Sequence, residues 1–102
     1  MSAYSRSAAR ERQLVNSLRE LGYVAYRTPA SKGAADVIAL SKGQIGLYQI
    51  KTGGQSAFSG FPPADRKRLL KEAEIAGAKC ALIWWPKGAS ECQWIFPEEW
   101  PK

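Results

Sequence analysis

The chain has 102 residues, 45% of them apolar, so it is large enough for one modest core and too apolar for a disordered chain. Its 15 Lys and Arg against 9 Asp and Glu, with a net charge of +6 and a pI near 9.6, point to an anionic partner, nucleic acid being the commonest; a merely basic protein is the alternative. Histidine is absent, which excludes Ser-His and Cys-His nucleophile pairs and imidazole ligands and leaves carboxylates, lysine, amides and a hard metal ion for any chemistry.

Residues 1–12 are polar and basic, without the apolar centre of a signal peptide, and no apolar run approaches a membrane span. The expectation is a cytoplasmic protein, small enough to be phage-encoded. Residues 7–21 place Leu14, Val15, Leu18 and Leu21 at helical spacing, and Gly22 follows as a stop. Glu11 lies three residues before Leu14 and seven before Leu18, on the buried stripe. One account of it is the favourable helix dipole near an N-terminus. The other is a carboxylate that reaches the site described next. Residues 23–27 read as a strand and residues 28–33 as a loop. Arg27, Ser31 and Lys32 are phosphate-binding types there, or simply parts of a solvated basic loop.

Residues 35–51 read as a β-hairpin. Two apolar runs, 37–40 and 45–50, flank Lys42-Gly43, and Gly tolerates the positive φ of such a turn. With those two residues as the loop, Ser41 faces Gln44, Leu40 faces Ile45, Ile38 faces Leu47 and Asp36 faces Gln49. Lys51 shares a face with Gln49. Both faces are apolar, so both should be covered. An Asp, an amide and a Lys then meet at the rim of a core, where unpaired charge is costly. A strand-end salt bridge between Asp36 and Lys51 is one reading; a metal site with a catalytic lysine is the other.

Residues 52–63 read as a long mobile loop carrying Gln55, Phe58 and Phe61, ending at Pro62-Pro63, which suits a helix start. The two aromatics either touch a partner or tuck back onto the core. The next helix, residues 64–76, should bury Leu69, Leu70 and Ala73 and end at Gly77. Lys79–Trp85 is a strand, and residues 93–96 form a second short one. Cys80 and Cys92 are too few for a disulfide framework or zinc site and are expected as thiols. The four Trp serve core packing or a dimer interface. The order α-β-β-β-α-β-(β) predicts an α/β fold: one domain over residues 1–102, with a mixed central sheet flanked by helices.

Arg10-Glu11 in the first helix, then residues 27–31 (Arg-Thr-Pro-Ala-Ser), residues 35–40 (Ala-Asp-Val-Ile-Ala-Leu) and residues 48–51 (Tyr-Gln-Ile-Lys) resemble, in order and spacing, the PD-(D/E)xK nuclease superfamily. Within it, the sequence is most similar to the archaeal-type Holliday junction resolvases over residues 7–86. The resemblance implies a restriction-endonuclease-like αβββαβ core and a phosphodiester hydrolase that uses Mg²⁺ or Mn²⁺. It implies that Asp36, Gln49 and Glu11 hold the metal and that Lys51 orients or polarises the attacking water. It also implies that Arg10, Arg27, Ser31, Lys32 and Gln55 contact DNA. Gln49 stands where the family usually has an acid; its carbonyl oxygen can still ligate a hard cation, with one negative charge fewer. Ala35 stands where the motif's Pro would be.

Phosphodiester hydrolysis needs charge neutralisation and an activated water, and one or two Mg²⁺ supply both without histidine. The reading is therefore a metal-dependent endonuclease acting on branched DNA. Two symmetric cuts require a two-fold homodimer. The rivals are a nicking or single-strand nuclease of the same fold, a DNA-binding protein with a degraded site, and a basic structural or RNA-binding protein. The last leaves Glu11, Asp36 and Lys51 unexplained.

Overall fold

The computed structural model describes residues 3–28 and 33–101, with side chains from residue 8 onward. Helix α1 spans Ala3–Glu20, four residues earlier than the apolar stripe predicts. Its first turns are rich in Ala, which needs no packing partner to favour helix. Leu14, Val15 and Leu18 are buried as expected. Leu21 is not: it is 75% exposed, because the chain leaves the helix there and turns at Gly22, whose φ is +96°. The amide of Tyr23 closes the end by donating to the Leu18 carbonyl at 3.0 Å.

Strands β1 (Val24–Arg27), β2 (Val37–Ser41), β3 (Gln44–Thr52), β4 (Lys79–Trp85) and β5 (Gln93–Ile95) form one sheet in the order β1-β2-β3-β4-β5. All neighbours are antiparallel except β3 and β4, which are parallel and joined through helix α2 (Pro63–Ala76). The hairpin has the expected register, Ser41 opposite Gln44, Leu40 opposite Ile45 and Ile38 opposite Leu47. Lys42 and Gly43 both take positive φ, +47° and +79°, the two-residue turn whose twist matches a hairpin.

Both faces of the hairpin are covered, as its two apolar faces require. On one side α1 packs Leu14, Val15 and Leu18 against Val37, Ala39, Ile50, Ile83 and Trp85. On the other, Leu69 and Ala73 of α2 meet Leu47, Leu82, Phe61 and Trp100. Leu70, expected inside, is 42% exposed; its neighbour Leu69 takes the inward position, and one residue is about 100° of helix rotation. Pro63 opens α2 and Gly77, at φ +66°, closes it. No helix among the described residues is long and apolar enough to cross a membrane.

The segment after β3 is packed rather than loose. Phe61 is fully buried, edge-on to Trp100 at 5.1 Å, and Ala57 is buried with it. Arg66 donates to the Phe61 carbonyl at 2.9 Å and lies over the Phe58 ring. Trp84 Nε1 donates to the Gly53 carbonyl at 2.7 Å. Aromatic anchors outweigh the flexibility of the glycines between them. Three of the four Trp therefore serve packing; Trp94 is 38% exposed and stands edge-on to Tyr48.

Gly46 is where the strand lets the Tyr48 phenol fold back across it. A Cβ there would collide with the phenol oxygen and Cζ. Gly46→Ala is expected to cost about 1–3 kcal/mol, the usual range for overpacking. At about 4–8 °C per kcal/mol for a domain this size, a scanning melt should show it. An unchanged midpoint would mean that Tyr48 has a second place to go.

Candidate active site

Asp36 sits one residue before β2. Its amide donates to the Tyr48 carbonyl at 2.8 Å, and its carbonyl accepts from Thr28 N–H at 2.9 Å, so the backbone is pinned from both neighbouring strands. The residue is 9% exposed. Oδ2 accepts from the Ile50 amide at 3.0 Å and from Gln49 Nε2 at 2.8 Å. Burial pushes the Asp36 carboxyl above its ordinary range; the Ile50 hydrogen bond and the charges of Lys51 and Arg27 pull the other way and do not win. A strand-end salt bridge does not form: the ion pairs among the described residues are Arg27–Glu11 and Arg68–Glu72.

Glu11 reaches the same region from α1. Its side chain is 14% exposed and accepts from Arg27 Nε at 3.1 Å. Burial raises its pKa first, the Arg27 hydrogen bond lowers it, and the charge of Asp36 raises it again. Each carboxylate is thus desolvated, and Glu11 is held up by the nearness of Asp36. Lys51 is half-buried on β3 opposite Trp84, and its stem lies along Gly60.

The fold brings together Glu11, Asp36, Gln49 and Lys51 as the sequence predicts. It places the expected DNA contacts more unevenly. Arg27 is committed to Glu11. Arg10 donates to Gln13 Oε1 at 2.8 Å and to the Ala89 carbonyl at 3.2 Å. Gln55 is exposed on the packed loop. Ser31 and Lys32 lie outside the described residues. Two participants escaped the sequence reading. The Ile50 amide carries no side-chain signal, and Gly60 abuts Lys51 only because the loop folds back.

Among the described residues no three His, Cys, Asp or Glu form a cluster that could hold a metal. The available donors are the carboxylates of Asp36 and Glu11 and the amide of Gln49. Two desolvated carboxylates short of positive charge suit a hard cation, and Mg²⁺ takes one or two carboxylates and keeps its waters. Gln49 gives its nitrogen to Asp36, which leaves its oxygen as the atom that could ligate a cation. Gln49→Glu replaces that hydrogen bond with a third carboxylate. It is expected to lower the melting temperature of the metal-free protein and to tighten Mg²⁺ binding. Calorimetric titration reads the second effect; weaker binding would mean that position 49 is not a ligand.

A five-stranded mixed sheet between two helices, with an acid at the mouth of its central hairpin, has the restriction-endonuclease-like fold. The family model described as archaeal Holliday junction resolvase (Hjc) matches residues 2–99. The chain belongs to that family. It is 32% identical over 76 residues to the crossover junction endodeoxyribonuclease Hjc of Methanocaldococcus jannaschii, a match covering 74% of this chain and 56% of the relative, so the chain spans little more than half of that relative's length. The solved structure of Archaeoglobus fulgidus Hjc, a Holliday junction resolvase, superposes with a TM-score of 0.72 at 17% identity, over 89% of this chain and 72% of that one.

Proposed function

We propose that this chain is a divalent-metal-dependent DNA endonuclease that cuts branched DNA as a homodimer, with residues 1–102 forming one nuclease domain. The observation that carries the reading is the buried Asp36 carboxylate, fixed by the Ile50 amide and Gln49, with Glu11 near enough to feel its charge and Lys51 on the adjoining strand. It is reinforced by the names of the relatives, which act as junction resolvases.

A bound Mg²⁺ or Mn²⁺ would supply positive charge to the phosphoryl oxygens and acidify a water. The rest belongs to the chain. Asp36 and Glu11 would hold the cation. Gln49 and the Ile50 amide orient Asp36. The ammonium of Lys51 would neutralise charge that develops on the phosphorane. Arg27 compensates Glu11 and can be released toward a DNA phosphate. Basic side chains around the site would hold the backbone, with binding that weakens steeply as salt rises.

The test is a cleavage assay with Mg²⁺ or Mn²⁺ on a four-way junction, a linear duplex and a single strand of matched sequence. Paired symmetric nicks on the junction alone are expected. Cutting of the other substrates would keep the nuclease and reject the junction preference. Tight binding without cutting would favour a degraded site, a reading supported by Gln49 where the family usually has an acid.

A further inference from the structure

A cavity of about 440 Å³ lies where α1, the end of β3 and the turn after β4 meet. It shares no lining residue with the Asp36 site. Its charged lining is Arg10 and Lys87, and no acid lines it. Arg10 lies over the Trp85 ring, 5.4 Å from its centroid. Trp85 is 3% exposed, and its indole N–H is the buried side-chain polar atom left without a hydrogen-bond partner among the described residues. Buried indole N–H groups normally find an acceptor, so one that has none calls for an acceptor from outside.

The remaining wall is Thr52, Gly53 and Gly54. Both glycines take positive φ, +67° and +82°, and a Cβ on Gly53 would point into open space. The Gly53 N–H and carbonyl are already taken by Trp85 and Trp84, so a hydroxyl, two cations and an unpaired donor form the basin for an oxyanion. Thr52 directly follows Lys51, and successive strand residues face opposite sides of the sheet. The cavity thus opens at the same strand end as the proposed catalytic lysine, on the α1 side.

We propose that this cavity binds a non-reacting phosphate of a nucleic-acid strand, held by Arg10, Lys87 and the Trp85 indole N–H. The proposal rests on the nuclease reading for the source of the phosphate. Arg10 exchanges the neutral Ala89 carbonyl for a charged oxygen, the stronger partner for a guanidinium. A guanidinium that leaves the Trp85 face would open that ring to the cavity it already lines. The subsite would fix the register of the strand whose scissile bond faces Asp36.

The test follows the indole N–H signals of metal-free wild-type protein by ¹H–¹⁵N NMR, with the Trp85 signal assigned from Trp85→Phe. A four-way DNA junction is titrated in, and separately inorganic phosphate, against chloride of equal ionic strength. The Trp85 indole proton is expected to shift on DNA binding. Lys87→Ala, on an exposed turn where folding is not at stake, should weaken DNA binding several-fold and reduce its salt slope by about 1. A Trp85 signal that ignores both ligands overturns the proposal. One that shifts with phosphate while DNA binds without moving it makes the cavity a free-anion site and also overturns it. If the protein cuts DNA and Trp85 stays silent, only the subsite fails; if it binds no DNA, the nuclease reading fails with it.

Discussion

Asp36→Asn is expected to abolish cleavage and leave DNA binding intact. Asn keeps the shape and one acceptor for the Ile50 amide, and it removes the charge of the proposed metal ligand and no proposed phosphate contact. Metal-ion charge stabilisation is worth several kcal/mol, and each ~1.4 kcal/mol is tenfold, so the loss should be at least about 10³-fold. Single-turnover cleavage beside a gel-shift measurement separates the two effects; wild-type-like cutting would remove Asp36 from the site.

The same substitution carries a second expectation with the opposite sign. Burial raises the Asp36 carboxyl above its ordinary value of 3.8. A carboxyl raised in the folded state favours folding below its ordinary value and loses that contribution as pH rises through the folded one. At neutral pH the metal-free protein therefore carries an unfavourable charge. Asp36→Asn should raise the melting temperature without metal, and added Mg²⁺ should stabilise the wild type and not the variant. A variant that melts lower at neutral pH would show instead that the carboxylate is chiefly a strap between β2 and β3.

Lys51→Ala is the other change with a large expected effect. Removing one group that stabilises transition-state charge typically costs about 10²–10³ in kcat. The loss should fall on kcat and leave DNA affinity nearly unchanged, since Lys51 sits between the hairpin and the loop rather than on the open surface. Gly60 bears on this directly. A Cβ at Gly60 would stand 3.4 Å from Lys51 Cδ and 3.7 Å from Cε. Gly60→Val, which adds two methyls beyond that Cβ, should displace the lysine and reproduce part of the loss without touching a charged group. Equal reductions in affinity and rate for Lys51→Ala would assign the lysine to ground-state DNA binding.

Much of the architecture is local in origin and so was legible in the chain. Alternating apolar residues around Lys42-Gly43 specify the hairpin and its register, because a slip by one residue would invert both faces. Glycines at the ends of both helices mark where they stop. The register alone puts Gln49 beside Asp36, and the helical stripe alone aims Glu11 inward. What remained hidden depends on distant segments meeting. The loop after β3 reads as mobile because its glycines and serines lack period, yet Phe61 finds Trp100, thirty-nine positions away. Arg27 reads as a DNA contact by type and Arg10 by resemblance; only folding reveals that one is held by Glu11 and the other by Gln13 and Ala89. The unpaired indole of Trp85 likewise exists only in three dimensions. Periodicity and turn chemistry act between near neighbours and determined the elements and the motif; the partners of each charge and donor are long-range, and the tertiary structure alone decided them.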